Sequence, residues 1–112
     1  MSAMNDWDGT AIKIDNDNNY ILAPQIGAGE KDQYNRFTGI TMGKQFNSDY
    51  STSQIGLMGY SSGARSIFLN AKDGSATFGV SGSGQIIIEP GSRAQIRSGN
   101  YVRGSSGMLI DF

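Results

Sequence analysis

The feature that most constrains the fold is a short pattern that recurs along the C-terminal half of the chain. The segments SIFLNAKDGSATFG and QIIIEPGSRAQIRSG can be laid over each other. Each has three apolar residues, a polar residue (Asn70 or Glu89), a turn, a strand-like piece and a closing glycine. A third unit begins at GMLIDF, with Asp111 in the polar position, which gives a spacing of about 20 residues. Such a period predicts short β units, each of which buries its apolar side chains against the neighbouring units.

A core is difficult to build within one such chain. Only 38% of the 112 residues are hydrophobic and 16 are glycine, which contributes no side chain and loses the most backbone freedom on folding. Because the chain has no Cys and no His, disulfides are excluded and the commonest metal ligands are absent. Oligomerisation is the remaining way to stabilise so small a core.

Two arrangements can share burial between the repeated units. A single-chain β-solenoid of this length would hold only about three coils, and the loops VSGSG and YVRGSSG are too small to cap it. Chains wound around a three-fold axis would instead meet their own copies and satisfy their sheet edges between protomers. We therefore favour the intertwined trimer.

The predicted fold is all-β. It is an elongated homotrimer with a small N-terminal β domain at residues 1–63 and an interwoven triple-stranded β-helix stem at residues 64–112. We expect the stem to continue beyond Phe112 in a longer parent protein. The sequence leaves open which alternate face of the strands points inward. The apolar residues expected on the trimer axis or between chains are Phe68, Leu69, Phe78, Ile87, Ile96 and Leu109.

The N-terminal part is also predicted to form short strands separated by turns. AIKID, the polar turn NDNN and YILA predict a hairpin. FTGITMG and SQIGLMGYS predict two further strands, with the turn-like KQFNSDYST between them. APQIGAGEKDQYNRF, with its proline and glycines, predicts an irregular loop. No segment combines a helical period of apolar residues with capping signals, so we expect no helix.

Charge and hydropathy narrow the choice of partners. The net charge is −1, from nine basic and ten acidic residues scattered along the chain. Without a basic stripe there is no signature of nucleic-acid binding. The apolar runs span only a few residues, which excludes a membrane-spanning helix, so we expect no membrane insertion. Nothing in the sequence predicts a cofactor.

The segment DNDNN, from Asp15 to Asn19, has the first three alternating oxygen ligands of a calcium-binding EF-hand loop. That loop also needs glycine at its sixth position and glutamate at its twelfth, where this chain has Tyr20 and Ile26. We therefore predict a hairpin turn held by Asx side chains, and no metal. A loosely held cation at this turn or on the trimer axis remains open.

Catalysis is not predicted. Acid–base chemistry needs a pair of carboxylates that face each other, and the eight candidate carboxylates are scattered, most of them in predicted turns. The glycine motifs GAG, GSG and GSSG resemble phosphate-binding loops, but no helix follows to receive the anion. We expect a protein that is not an enzyme, with a glycan-cleaving enzyme as the weaker alternative.

Aromatic residues in the first sixty positions are interleaved with polar residues, a mixture suited to stacking sugar rings and bonding their hydroxyls. The candidates for carbohydrate binding are Tyr34, Arg36, Asp49 and Tyr50. Four other aromatic residues are expected to fill the N-terminal core: Trp7, Phe37, Phe46 and Tyr60.

One family resemblance rests on an ordered succession of strings between Gln54 and Phe112. These are GLMGYSSGARSIFLNAKDGSATFG and SGSGQIIIEPGSRAQIRSGNY, followed by SSGMLIDF. In this order they resemble the tail-tip proteins of phages and prophages of Gram-positive bacteria, the minor structural or tail-associated (central fibre, Tal-like) proteins. AIKIDNDNNYILAPQIGAG is similar to such proteins less specifically.

This resemblance implies a trimer of elongated β-structure, including an intertwined triple β-helix, at the distal end of a virion tail. It implies synthesis in the host cytoplasm, contact with other phage tail proteins and contact with the cell surface. Cell-wall polysaccharide and teichoic acid are the corresponding ligands. Some relatives carry a peptidoglycan hydrolase elsewhere, which nothing in this sequence resembles, and others cleave hyaluronan on a similar stem. A structural tail component is thus the first hypothesis, a receptor-binding module the second and a glycan-cleaving enzyme the third.

Overall fold

The computed structural model describes residue 7 and the ranges 9–44, 54–92, 94–99 and 109–111. Within these residues all regular structure is β-strand and all strand pairing is antiparallel, so the all-β prediction is confirmed. The ten strands are β1 (Lys13–Asp15), β2 (Tyr20–Leu22), β3 (Gln25–Lys31), β4 (Phe37–Lys44), β5 (Ile55–Ser61), β6 (Ala64–Asn70), β7 (Ala76–Phe78), β8 (Ile86–Glu89), β9 (Gln95–Ser98) and β10 (Leu109–Asp111).

Strands β1 and β2 form a separate two-stranded hairpin. Asp15 pairs with Tyr20 across the turn, and Asn19 takes the left-handed conformation with φ of 61°. The carboxylate of Asp15 accepts hydrogen bonds from the backbone N–H of Asn18 (3.0 Å) and from its side-chain amide (3.2 Å). The predicted hairpin with an Asx turn is therefore confirmed.

The other eight strands form one sheet whose spatial order follows the chain order, from β3 at one edge to β10 at the other. Each strand pairs with the next one along the chain, which makes the sheet a meander. The two overlaid sequence units correspond to the β6–β7 and β8–β9 pairs, and the third unit leads into β10. Among the described residues, the ladder between strands is thus formed within the chain.

The prediction of an irregular loop over residues 23–37 is wrong in its first half, because Gln25–Lys31 forms β3. Its glycines serve close packing: Gly29 lies directly opposite Gly39. A Cβ atom on Gly39 would lie 2.3 Å from the carbonyl oxygen of Ala28 and 2.7 Å from the ring of Phe37. The Phe37 ring thus packs against Gly29 and Gly39. This close contact explains why glycine occurs inside these strands, where it usually weakens or ends a strand.

The predicted boundary between residues 63 and 64 falls in the tight turn between β5 and β6, which pair along their length. Strand length changes further along the chain. Strands β3 to β6 have seven or eight residues, whereas β7 to β10 have three or four. The division into residues 1–63 and 64–112 stays a prediction.

The buried core is small. Met58, Tyr60 and Phe68 are its buried apolar residues, and Phe37 packs against them. The Phe37 and Tyr60 rings lie 5.9 Å apart at 57°, within the range of favourable tilted aromatic pairs. Both residues were expected in the core. Trp7 is half-buried and donates from its indole N–H to the carbonyl oxygen of Ala11 (2.7 Å), whereas Phe46 lies outside the described residues.

Candidate functional site: a candidate binding surface

The strand register divides the side chains of the sheet between two faces. In an antiparallel pair, directly opposite residues point to the same face, and successive residues alternate. One row of opposite residues can be followed across all eight strands, and every member is apolar: Ile26, Met42, Leu57, Leu69, Ala76, Ile88, Ile96 and Ile110. The neighbouring row on the same face consists of Ala28, Ile40, Gly59, Ile67, Phe78, Ile86 and Ser98. We call these two rows the apolar stripe.

The apolar stripe is exposed to a degree unusual for large aliphatic side chains. Ile86 is 56% exposed, Met42 48% and Ile110 45%. Ile55, which lies opposite Lys44 and beside the stripe, is 37% exposed. Monomeric proteins rarely leave so many large apolar residues together in water. The surface is therefore suited to contact with another apolar surface.

Charged residues lie beside the apolar stripe and not within it. Glu30 and Thr38 are opposite each other on one side of the stripe, and Lys44 lies on the other side. Ser98 is the single side chain with a polar group in the two rows. An occupant of this surface therefore meets apolar atoms at its centre and polar groups at its margins, the usual distribution in a protein–protein contact.

The opposite face of the sheet is different in character. Across β4 to β6 it carries the core, and across β8 and β9 it carries a polar network. The carboxylate of Glu89 accepts hydrogen bonds from the side-chain amide of Gln95 (3.0 Å) and from Nε of Arg97, with which it forms an ion pair. These bonds, that from Gln95 first, hold the pKa of Glu89 below its ordinary value. Because Arg97 lies between Ile87 and Leu109 in the register, this part of the face is not continuously apolar.

The six residues predicted for the trimer interface divide equally between the two faces. Leu69, Phe78 and Ile96 belong to the apolar stripe. Phe68, Ile87 and Leu109 lie on the opposite face, where Phe68 is only 7% exposed within the single chain. The sequence alone leaves open which face of the strands points inward. Stripe residues outside the predicted set, such as Ile40 and Met42, could have been found from the alternation in FTGITMGK.

Among the predicted carbohydrate-binding residues, the structure brings Tyr34 and Arg36 together in the turn between β3 and β4. The guanidinium carbon of Arg36 lies 5.0 Å from the centre of the Tyr34 ring, and Tyr34 is 68% exposed. Asp32 holds the turn: one carboxylate oxygen accepts from the backbone N–H groups of Tyr34 and Arg36 (both 2.9 Å), and the other accepts from Nε of Arg36 (2.7 Å). These bonds, led by the one from the Arg36 backbone, lower the pKa of Asp32.

The other two predicted carbohydrate-binding residues, Asp49 and Tyr50, lie outside the described residues. The chain enters that segment from Lys44, at the end of β4 opposite to the Tyr34 turn. The site that the structure supports is therefore an exposed tyrosine stacked on an arginine, which is in turn paired with an aspartate.

Four of the described carboxylates have lowered pKa values, the opposite of what a general acid requires. Hydrogen bonds lower the pKa values of Asp15, Asp32, Asp73 and Glu89, which favours the ionised form, whereas a general acid needs a raised pKa. In the described part of the chain, no three His, Cys, Asp or Glu residues are grouped closely enough to hold a metal ion. Nor do the described residues include a helix with the length and apolar character needed to cross a membrane.

In comparisons with protein families, with curated proteins and with solved structures, no family model, protein or structure matches this chain.

Proposed function

We propose that this chain is a structural component of a phage tail fibre or tail tip that acts as a homotrimer, with residues 64–112 in its elongated stem. The observation that carries the proposal is the apolar stripe, because a single chain leaves it in water and a structural oligomer would cover it. The ordered succession of strings from Gln54 to Phe112 supports the assignment to a phage tail.

The interwoven triple-stranded β-helix is one form that this trimer could take. It requires strands to pair between copies, whereas the described strands from β6 to β10 pair within the chain. An interwoven stem would therefore need these pairings to be exchanged during assembly. Contact with other tail proteins and with the host surface belongs to the same proposal.

Mass measurement in solution tests the trimer. Light scattering combined with sedimentation should give about three times the chain mass of 12.0 kDa. A species of single-chain mass at all concentrations up to about 100 µM would contradict the trimer, since a functional assembly buries enough surface to persist there.

Carbohydrate binding is a second candidate, favoured by the exposed Tyr34 ring on its hydrogen-bonded turn. Because Asp32 holds the backbone at Tyr34 before a ligand arrives, the turn would lose little conformational entropy on binding a sugar. In this role the chain would recognise cell-wall polysaccharide or teichoic acid.

Binding to purified cell-wall polysaccharide and teichoic acid tests this second function. We expect Tyr34→Ala to weaken binding about fivefold, since stacking on an aromatic ring contributes about 1 kcal/mol. Tyr20→Ala, in the β1–β2 hairpin, is the matched control and should bind normally. Equal binding by wild type and Tyr34→Ala would exclude the Tyr34 turn as the site.

A further inference from the structure

We propose that copies of this chain meet through the apolar stripe, packing sheet against sheet, and that their strands are not exchanged. This inference rests on the proposed oligomer and specifies which surface it uses. It assigns the contact to the face that carries Ile86 and Ile88 and excludes the face that carries Ile87.

The exposed apolar area of this face is large enough to form an interface. Nine large apolar side chains on this face are between 36% and 56% exposed: Ile26, Ile40, Met42, Ile55, Leu69, Phe78, Ile86, Ile88 and Ile110. If each would offer about 200 Å² when fully exposed, together they present roughly 800 Å². A standard protein–protein interface buries about 800 Å² on each partner, so this face alone is large enough for stable association.

The chemistry of the apolar stripe indicates which kind of surface can pack on it. Among the described residues of the sheet, the charged side chains beside the stripe are Glu30 and Lys44, on opposite margins, so its centre has no charge to attract a charged partner. It requires a surface that is apolar, narrow and extended over the width of eight strands. The stripe of a second copy has this character, because one uncharged apolar surface can pack against another.

The strand pairing within the chain favours packing of whole sheets over exchange of strands. Each strand from β4 to β9 already pairs with a neighbouring strand on both sides within the chain. Exchanging strands would break these bonds only to form equivalent ones, whereas packing two stripes removes apolar area from water and breaks none. Face-to-face packing therefore needs no rearrangement of the sheet. In a trimer, three stripes would lie around the common axis, with the strands running across it.

Thiol labelling gives the most direct test, since the chain contains no Cys. The variant Ile86→Cys carries its thiol on the stripe, Ile87→Cys on the opposite face of the same strand, and Lys72→Cys in the exposed β6–β7 turn. In the assembled protein, we expect a maleimide to react with the Ile86→Cys thiol at least about tenfold more slowly than with the Lys72→Cys thiol. On dilution to the single chain, this protection should disappear.

Each result of the labelling experiment decides between arrangements. A trimer whose Ile86→Cys thiol reacts freely would overturn the stripe contact while leaving the proposed trimer and the interwoven stem intact. Protection that persists in a single chain would mean that another part of the same chain covers the stripe, and would also overturn this inference. A wild-type protein that never associates would contradict the proposed function itself.

Substitutions that keep the β-branched shape of the side chain provide an independent test that does not depend on labelling. Ile86→Thr combined with Ile88→Thr keeps β-branched side chains in β8 but reduces the apolar contact and introduces two hydroxyls. We expect the concentration for half-assembly to rise by about 100-fold or more, with the β-sheet circular dichroism signal retained. Ile87→Thr, on the other face, should shift it less than about threefold. The reverse order of effects would place the contact on the opposite face.

Discussion

At the scale of single residues, Thr41 places on the core face of the sheet a buried hydroxyl without a hydrogen-bond partner in the described part of the chain. Its side chain is 1% exposed and lies between Gly27 and Met58 in the register. The hydroxyl has no hydrogen-bond partner among the described residues. A buried hydroxyl without a partner costs free energy that an apolar group of the same shape would not.

Replacing Thr41 by valine should therefore increase the free energy of unfolding, by about 1 kcal/mol. The comparison is Thr38→Val on the same strand, because Oγ1 of Thr38 accepts a hydrogen bond from the backbone N–H of Ser62 (2.8 Å). Its loss should lower the free energy of unfolding by up to about 1 kcal/mol. Urea unfolding at one fixed protein concentration measures both variants. A destabilised Thr41→Val would show that the hydroxyl makes a favourable contact.

At the scale of strands and hairpins, the sequence predicts where most of the strands lie better than it predicts which face of each strand is covered. The β1–β2 hairpin, β4 and β5 could be recognised because turn residues bound alternating or β-branched segments. Strand β3 was missed because Gly27 and Gly29 look like breaks, and only the partner strand shows that Gly39 and the Phe37 ring complete the packing. Strand β8 has three consecutive isoleucines, so its sequence does not show which face is covered. Only the register with β7 and β9 shows that Ile86 and Ile88 lie on the exposed face.

The same limit applies to the candidate sites. Tyr34 and Arg36 could be selected because they are close in sequence and of suitable types, but the stacked geometry depends on the hydrogen bonds of Asp32, which was not among the carbohydrate-binding candidates. The apolar stripe combines residues from eight strands, and no short segment contains enough of it to be recognised.

The β8–β9 hairpin should contribute stability that depends on pH. Because the pKa of Glu89 is lowered from 4.5 in the folded state, its contribution is fully present above pH 4.5 and is lost as the pH falls through the lowered value. At pH 7 we expect Glu89→Gln to be less stable than wild type by no more than about 1 kcal/mol, since the partly exposed pair is screened by solvent. Unfolding measured from pH 7 to pH 2.5 should show the difference shrinking below pH 4.5. A constant difference would contradict the prediction.

At the scale of the whole molecule, the described sheet is covered unevenly. The radius of gyration is 17.0 Å, compared with about 13 Å for a compact domain of roughly 100 residues. Only three apolar residues are buried among those described, whereas the stripe is exposed. Much of the hydrophobic stabilisation would thus be realised between copies.

The stability of the whole molecule should therefore depend on protein concentration. Association of folded chains stabilises them by mass action, so the midpoint of thermal unfolding should rise as the concentration is raised from about 1 µM to 100 µM. Calorimetry at several concentrations measures this shift, and the Ile86→Thr, Ile88→Thr variant should show much less of it. A midpoint independent of concentration in the wild type would contradict association linked to folding.

The meander order has a consequence for how the protein is made. Because every strand from β3 to β10 pairs with its neighbour in the chain, each step of sheet formation closes only a short loop. The sheet can extend strand by strand while the C-terminal residues are still being synthesised, without waiting for a second polypeptide. Assembly through the stripe would then join subunits that are already folded, and its rate would be set by their encounters in solution.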